Sequence, residues 1–173
     1  MIWILLFAFL LVIVVLLLLK KQSVHTSSIS FPYQRGKALF SEAERSFLGV
    51  LDQAVGADYR VFGKVRLADV ATVKSGLTNS ARQGAFNRIA YKHFDYVVCR
   101  AGDLSVICAV ELNDKSHASR KAQDRDELVA NVCGVIALPL LVVPAKAAYS
   151  PEEVRTQFLA AIAVNPASKR IDS

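Results

Sequence analysis

The chain has 173 residues, enough for one domain and too few for two of ordinary size. Its formal net charge of +6 suits anionic partners, either nucleic acid or an anionic lipid surface. The three cysteines, Cys99, Cys108 and Cys133, are odd in number and lie in apolar runs without metal-ligand spacing, so they read as buried free thiols and not as a zinc site.

The sequence is apolar from Met1 to Leu19 and is closed by Lys20-Lys21. About 18 such residues span roughly 27 Å as a helix, close to a hydrocarbon core. No basic region precedes the run and no small-x-small pattern follows it, so a retained transmembrane helix over 1–19 is expected in place of a cleaved signal peptide. Lys20, Lys21, Arg35 and Lys37 follow it, which predicts a single-pass inner-membrane protein with its C-terminal part in the cytoplasm. Residues 20–30, serine-rich and polar, read as a juxtamembrane linker. The domain proper is expected over 31–163, with a polar tail over 164–173.

Ser41-Glu42-Ala43-Glu44 is a capping-box pattern. Ala43, Phe47, Leu48, Leu51 and Val55 follow on one stripe, which predicts a helix ending near Gly56. Tyr59 to Leu67 alternates around Val61, Gly63 and Val65 and reads as a strand. The segment from Ala68 to Gly84 is mixed: a short helical turn at Ala68–Ala71, then loop-like chemistry at Lys74-Ser75-Gly76 and Thr78-Asn79-Ser80. Ala85 to Lys92 has helical character.

Two strand-like runs come next, Phe94–Arg100 and Leu104–Asp114, joined by the turn residues Ala101-Gly102-Asp103. An antiparallel hairpin follows. It brings Asp95 and Glu111 toward one edge of the sheet. Burying either charge costs several kcal/mol unless it is paired or metal-bound, and two converging carboxylates suit a hard cation. His117 to Cys133 has helical spacing, with Gly134 at its end. Leu138 to Pro144 is short and wholly apolar, which predicts a buried strand with no wet face. Ser150-Pro151-Glu152-Glu153 repeats the capping pattern with proline at N1, and Val154, Phe158, Leu159 and Ile162 continue the helix. The expected architecture is a sheet with helices on both faces. There is no Gly-rich phosphate loop, zinc signature, G-x-S-x-G elbow or aromatic RNA-binding strand, which removes kinases, zinc enzymes, serine hydrolases and the common RNA modules.

The ordered set Phe94-Asp95-Tyr96-Val97-Val98, Val110-Glu111-Leu112-Asn113-Asp114-Lys115-Ser116-His117, Asp124-Arg125-Asp126 and Leu138-Pro139-Leu140-Leu141-Val142 resembles the bacterial family called domain of unknown function 2726. Val65–Val70 and Ala43–Arg45 resemble its earlier segments, and the similarity covers roughly residues 31–143. That family is assigned to the restriction-endonuclease-like superfamily, known by its Pro-Asp…Asp/Glu-x-Lys signature. The resemblance implies an α/β domain with a mixed sheet flanked by helices. It also implies Mg²⁺-dependent phosphodiester hydrolysis on DNA or RNA, with Mn²⁺ as an alternative ion.

By position, Asp95 matches the first metal-binding acid and Glu111 the second, and the backbone carbonyl of Leu112 would complete the set. Glu44 matches a helix carboxylate that joins this site, besides its role as the capping partner of Ser41. Asn113 stands where the superfamily has its lysine. Asparagine can orient water or ligate a hard cation, but it cannot neutralise a phosphate. Lys115, His117, Arg120 and Lys121 follow closely, and histidine recurs in the resembled family where His117 stands. Its Arg-Asp pair stands at Arg125-Asp126, so a His117–Asp126 contact belongs to the same expectation. The alternative implied by Asn113 is a degenerate relative that binds nucleic acid or a protein partner at the membrane without cutting.

Overall fold

The computed structural model describes residues 2–22, 31–113 and 120–164. The chain divides into two compact units, Met1–Lys37 and Ala38–Ser173.

The first unit holds α1 (Ile2–Gln22). Among the described residues, no helix is long and apolar enough to cross a membrane. This overturns the expected transmembrane helix over 1–19, and with it the single-pass inner-membrane placement.

The second unit is a mixed α/β domain. Its elements are α2 (Glu42–Val55), β1 (Tyr59–Arg66), α3 (Leu67–Val70), α4 (Asn79–Ala90), β2 (His93–Arg100), β3 (Val106–Asn113), α5 (Arg120–Val135), β4 (Leu140–Pro144) and α6 (Pro151–Ala163). The four strands lie in the order β1-β2-β3-β4. The first two pairings are antiparallel, whereas β3 and β4 run parallel. Helix α5 is the crossover that a parallel pair requires.

The predicted caps form. Ser41 Oγ accepts the Glu44 N–H at 3.3 Å, and a Glu44 carboxylate oxygen accepts the Ser41 N–H at 2.7 Å. Ser150 caps α6, with Pro151 in the first turn. Thr78, read from sequence as loop, is instead the N-cap of α4, its hydroxyl accepting the Ala81 N–H at 3.3 Å. The hairpin's second strand begins two residues later than expected. Asp103 accepts from both the backbone and the hydroxyl of Ser105, at 2.9 and 2.7 Å, which holds Leu104 and Ser105 in the turn. Gly134 does not end α5, which runs on to Val135.

Both faces of the sheet are covered, because β2 and β3 carry apolar side chains on both sides. Phe47 and Leu51 of α2 and Val154 and Phe158 of α6 pack on Tyr96, Val98, Cys108 and Val110. On the opposite face, Leu67, Ile89, Val129 and Cys133 cover Phe94, Val97, Cys99 and Ala109. Burying a side chain of this kind contributes about 1.5–3 kcal/mol. The three cysteines are buried free thiols, and burial pushes Cys108 up to about 12 and Cys133 up to about 11. The β4 strand does have a partly wet face: Leu141 and Val143 are buried but Val142 is 49% exposed. Leu141 and Val143 pack into the cluster with α2 and α6, while Val142 lines a cleft on the α5 side.

Candidate functional site

The first feature of the site is a break in the alternation of β1 and β2. Side chains in a regular strand alternate faces. Yet Val61 packs with the α2/α6 cluster and Val65 with the opposite one, while Phe94 and Tyr96 are likewise divided. The cause on β1 is Lys64, whose φ is +57°. A left-handed residue that is not glycine costs of order 1–3 kcal/mol and persists only where its surroundings over-determine it. Here the inversion turns Lys64 toward α2.

The surroundings are specific. A Cβ at Gly63 would overlap the Phe40 ring. Phe40 stacks on Tyr96 with ring centroids 5.9 Å apart, and the Lys64 ammonium lies 5.8 Å from the Phe40 centroid. The Tyr96 hydroxyl donates to the Glu44 carbonyl at 2.6 Å, tying the first turn of α2 to β2.

Lys64 bridges two acids. Its Nζ donates to Glu44 Oε1 at 2.6 Å and to Asp95 Oδ1 at 3.4 Å. Glu44 therefore fills both of its expected roles, one oxygen in the capping box and the other on Lys64. Burial raises the Glu44 carboxyl, but the Lys64 and Ser41 hydrogen bonds outweigh it and leave the group below its ordinary value. Burial lowers Lys64, and the two carboxylates more than reverse that. Asp95 spends its second oxygen on β3, where Oδ2 accepts the Leu112 N–H at 3.0 Å. A carboxylate thus takes the place of a ladder carbonyl at the end of the hairpin.

Glu111 lies one step beyond the Tyr96–Val110 pair, on the strand next to Asp95. Its neighbour Val110 packs toward α2 and Ala109 toward α5, so alternation directs Glu111 toward α5. There Arg125 Nη2 donates to Glu111 Oε2 at 2.9 Å. The other oxygen, Oε1, is buried and has no hydrogen-bond partner among the described residues. Burial raises the Glu111 carboxyl to about 7, and the charges of Asp95 and Asp126 add to the rise. Arg125 and the Asp95 backbone N–H oppose it without cancelling it.

A cleft of about 470 Å³ between β3, β4 and α5 is lined by Glu111, Leu112, Asn113, Arg125 and Asp126. Five of the predicted positions are thus near one another: Asp95 and Glu111 on adjacent strands, Leu112 bonded to Asp95, and Asn113 and Asp126 on the cleft wall. Glu44 joins Asp95 through Lys64. Lys115, His117 and the expected His117–Asp126 contact lie outside the described residues. A larger cavity of about 670 Å³ between α4 and α5, lined by Leu77, Ile89 and Val132, contains none of these acids. Among the described residues, no group of three or more His, Cys, Asp or Glu side chains is arranged to hold a metal ion. Lys64 stands between Glu44 and Asp95, and Glu111 turns to the α5 side.

One residue, Lys64, and one pairing, that of Arg125, escaped the sequence reading. Lys64 looked like the outward member of an alternating strand, and nothing local announces its inverted φ. Arg125 was visible as half of an Arg-Asp pair, but its partner Glu111 is 14 positions away in the chain.

The fold and site together define a mixed α/β domain with a carboxylate–cation cluster at the end of its central hairpin. The chain belongs to the family described as "Protein of unknown function (DUF2726)", whose model matches residues 36–162. No curated protein and no solved structure matches the chain.

Proposed function

We propose that this domain is a restriction-endonuclease-like, divalent-ion-dependent phosphodiesterase acting on nucleic acid. The observation that carries the reading is the orphaned oxygen of Glu111. A buried carboxylate oxygen with no donor is costly, and a hard cation is the partner that chemistry would supply. It lies on the strand beside Asp95, so Asp95 and Glu111, with the Leu112 carbonyl, are the groups that would hold Mg²⁺ or Mn²⁺. Such an ion supplies a water of lowered pKa and polarises a phosphoryl oxygen. The chain's own residues do the rest. Lys64 and Arg125 set the charge balance of the acids, Leu112 holds the Asp95 carboxylate in place, and the formal charge of +6 favours a polyanionic substrate.

The test incubates the full chain with DNA and with RNA in the presence of Mg²⁺ or Mn²⁺. Cleavage is expected to fall by about 100-fold or more in Glu111→Ala, the scale of a lost charge-stabilising group. Equal cleavage by both proteins would refute the reading. A second reading, a non-cutting relative that binds nucleic acid or a protein partner, is favoured by the internal cations already facing each acid and by Asn113 in the place of the superfamily lysine. Calorimetry separates the two, since this second reading expects no divalent-ion binding at millimolar concentration.

A further inference from the structure

We propose that Lys64 is the phosphate-facing cation of this site, doing from β1 what Asn113 cannot do from β3; the inference rests on the phosphodiesterase reading above. Hydrolysis of a phosphodiester needs positive charge beside the phosphoryl oxygens as well as a cation on the acids. Asn113 carries none. Among the described residues, two cations touch the acids of the site, and they differ in kind. Arg125 is committed to Glu111 by a short contact of 2.9 Å on the α5 side. Lys64 shares one ammonium between two carboxylates from different elements, and its bond to Asp95 is the longer one at 3.4 Å.

An ammonium on a four-carbon stem is a point charge that can turn from one partner to another. With 29% of its side chain exposed, Lys64 is both held and reachable. Its backbone is inverted at φ +57° where glycine would be at ease, and the residue beneath the Phe40 ring is a glycine that lets the ring close over the strand. Both features place the ammonium between Glu44 and Asp95. Neither is needed for a strand that merely ends in solvent.

A phosphate-facing Lys64 differs from a purely structural one in turnover and in its recovery by arginine. While Lys64 sits between Glu44 and Asp95, it repels any divalent ion approaching Asp95. Removing it therefore tightens ion binding while it weakens turnover. Lys64→Gly is the variant of choice because glycine keeps the positive φ without strain, and Lys64→Arg keeps the charge. With the full chain, calorimetry using Mg²⁺ or Mn²⁺ alone is expected to show about 10-fold tighter binding in Lys64→Gly. Its cleavage of DNA or RNA is expected to fall by about 100-fold, with partial recovery in Lys64→Arg. Unchanged ion affinity in Lys64→Gly overturns the assignment, and so does tighter binding without loss of cleavage. A wild-type chain that binds the ion but cleaves neither nucleic acid refutes the phosphodiesterase reading instead, and with it the phosphate-facing role.

Discussion

Replacing Glu111 by glutamine is expected to stabilise the protein at alkaline pH while removing the function proposed for the site. The Glu111 carboxyl rises from 4.5 to about 7 because burial withdraws it from water and Asp95 lies nearby. At about 1.4 kcal/mol per tenfold change in proton affinity, that rise corresponds to about 3 kcal/mol. The sign follows from linkage. The native state binds this proton more tightly than the unfolded chain, so the stability attached to it is fully present below about pH 4.5. It is lost as pH climbs through about 7.

Glutamine keeps the shape, carries no charge and removes this dependence. The Arg125 attraction is already contained in this figure, because it is one of the influences that bring the Glu111 carboxyl to about 7. The net expectation is that Glu111→Gln is more stable than wild type by about 3 kcal/mol near pH 8. Near pH 4 that advantage is absent, and the variant is equal or slightly weaker. Urea unfolding followed by far-ultraviolet circular dichroism measures this; fluorescence is unsuitable, since the single tryptophan, Trp3, lies in α1. A variant that is less stable than wild type near pH 8, or whose difference does not vary with pH, would refute the argument that Glu111 is a strained buried charge.

Two further substitutions test the scaffold. Gly63→Ala drives a methyl group into the Phe40 ring and is expected to cost about 1–3 kcal/mol in urea unfolding; an unchanged midpoint would mean that Phe40 does not hold Gly63. Phe47→Ala empties the centre of the α2-side cluster, where Phe47 is fully buried and meets the Tyr149 ring at 4.9 Å. The expected loss is about 3–5 kcal/mol, and a loss below about 1 kcal/mol would contradict the packing described.

Much of the domain was legible in the chain because the signals involved are local. A capping box joins residues three apart, so Ser41 with Glu44 and Ser150 with Glu153 can be read without any tertiary information. Strand alternation and turn residues marked the hairpin and put Asp95 and Glu111 on neighbouring strands. The start of α4 was missed because Thr78 is equally good in a loop and at an N-cap, and only the following helix decides. The apolar opening of the chain shows the limit of composition, which proposed a membrane span that the described helix does not provide.

Residue types, periodicity and cap chemistry determined by themselves the capped helices α2 and α6, the central hairpin and the two-faced sheet. The tertiary structure alone decided which cation meets which acid. Lys64 reaches Asp95 across 31 positions and Glu44 across 20, while Arg125 reaches Glu111 from the crossover helix. Those meetings depend on sheet register and on one inverted backbone angle at Lys64. Neither quantity is encoded in the short-range pattern from which elements are read; both are set by how Phe40, Tyr96 and α2 pack on the finished sheet.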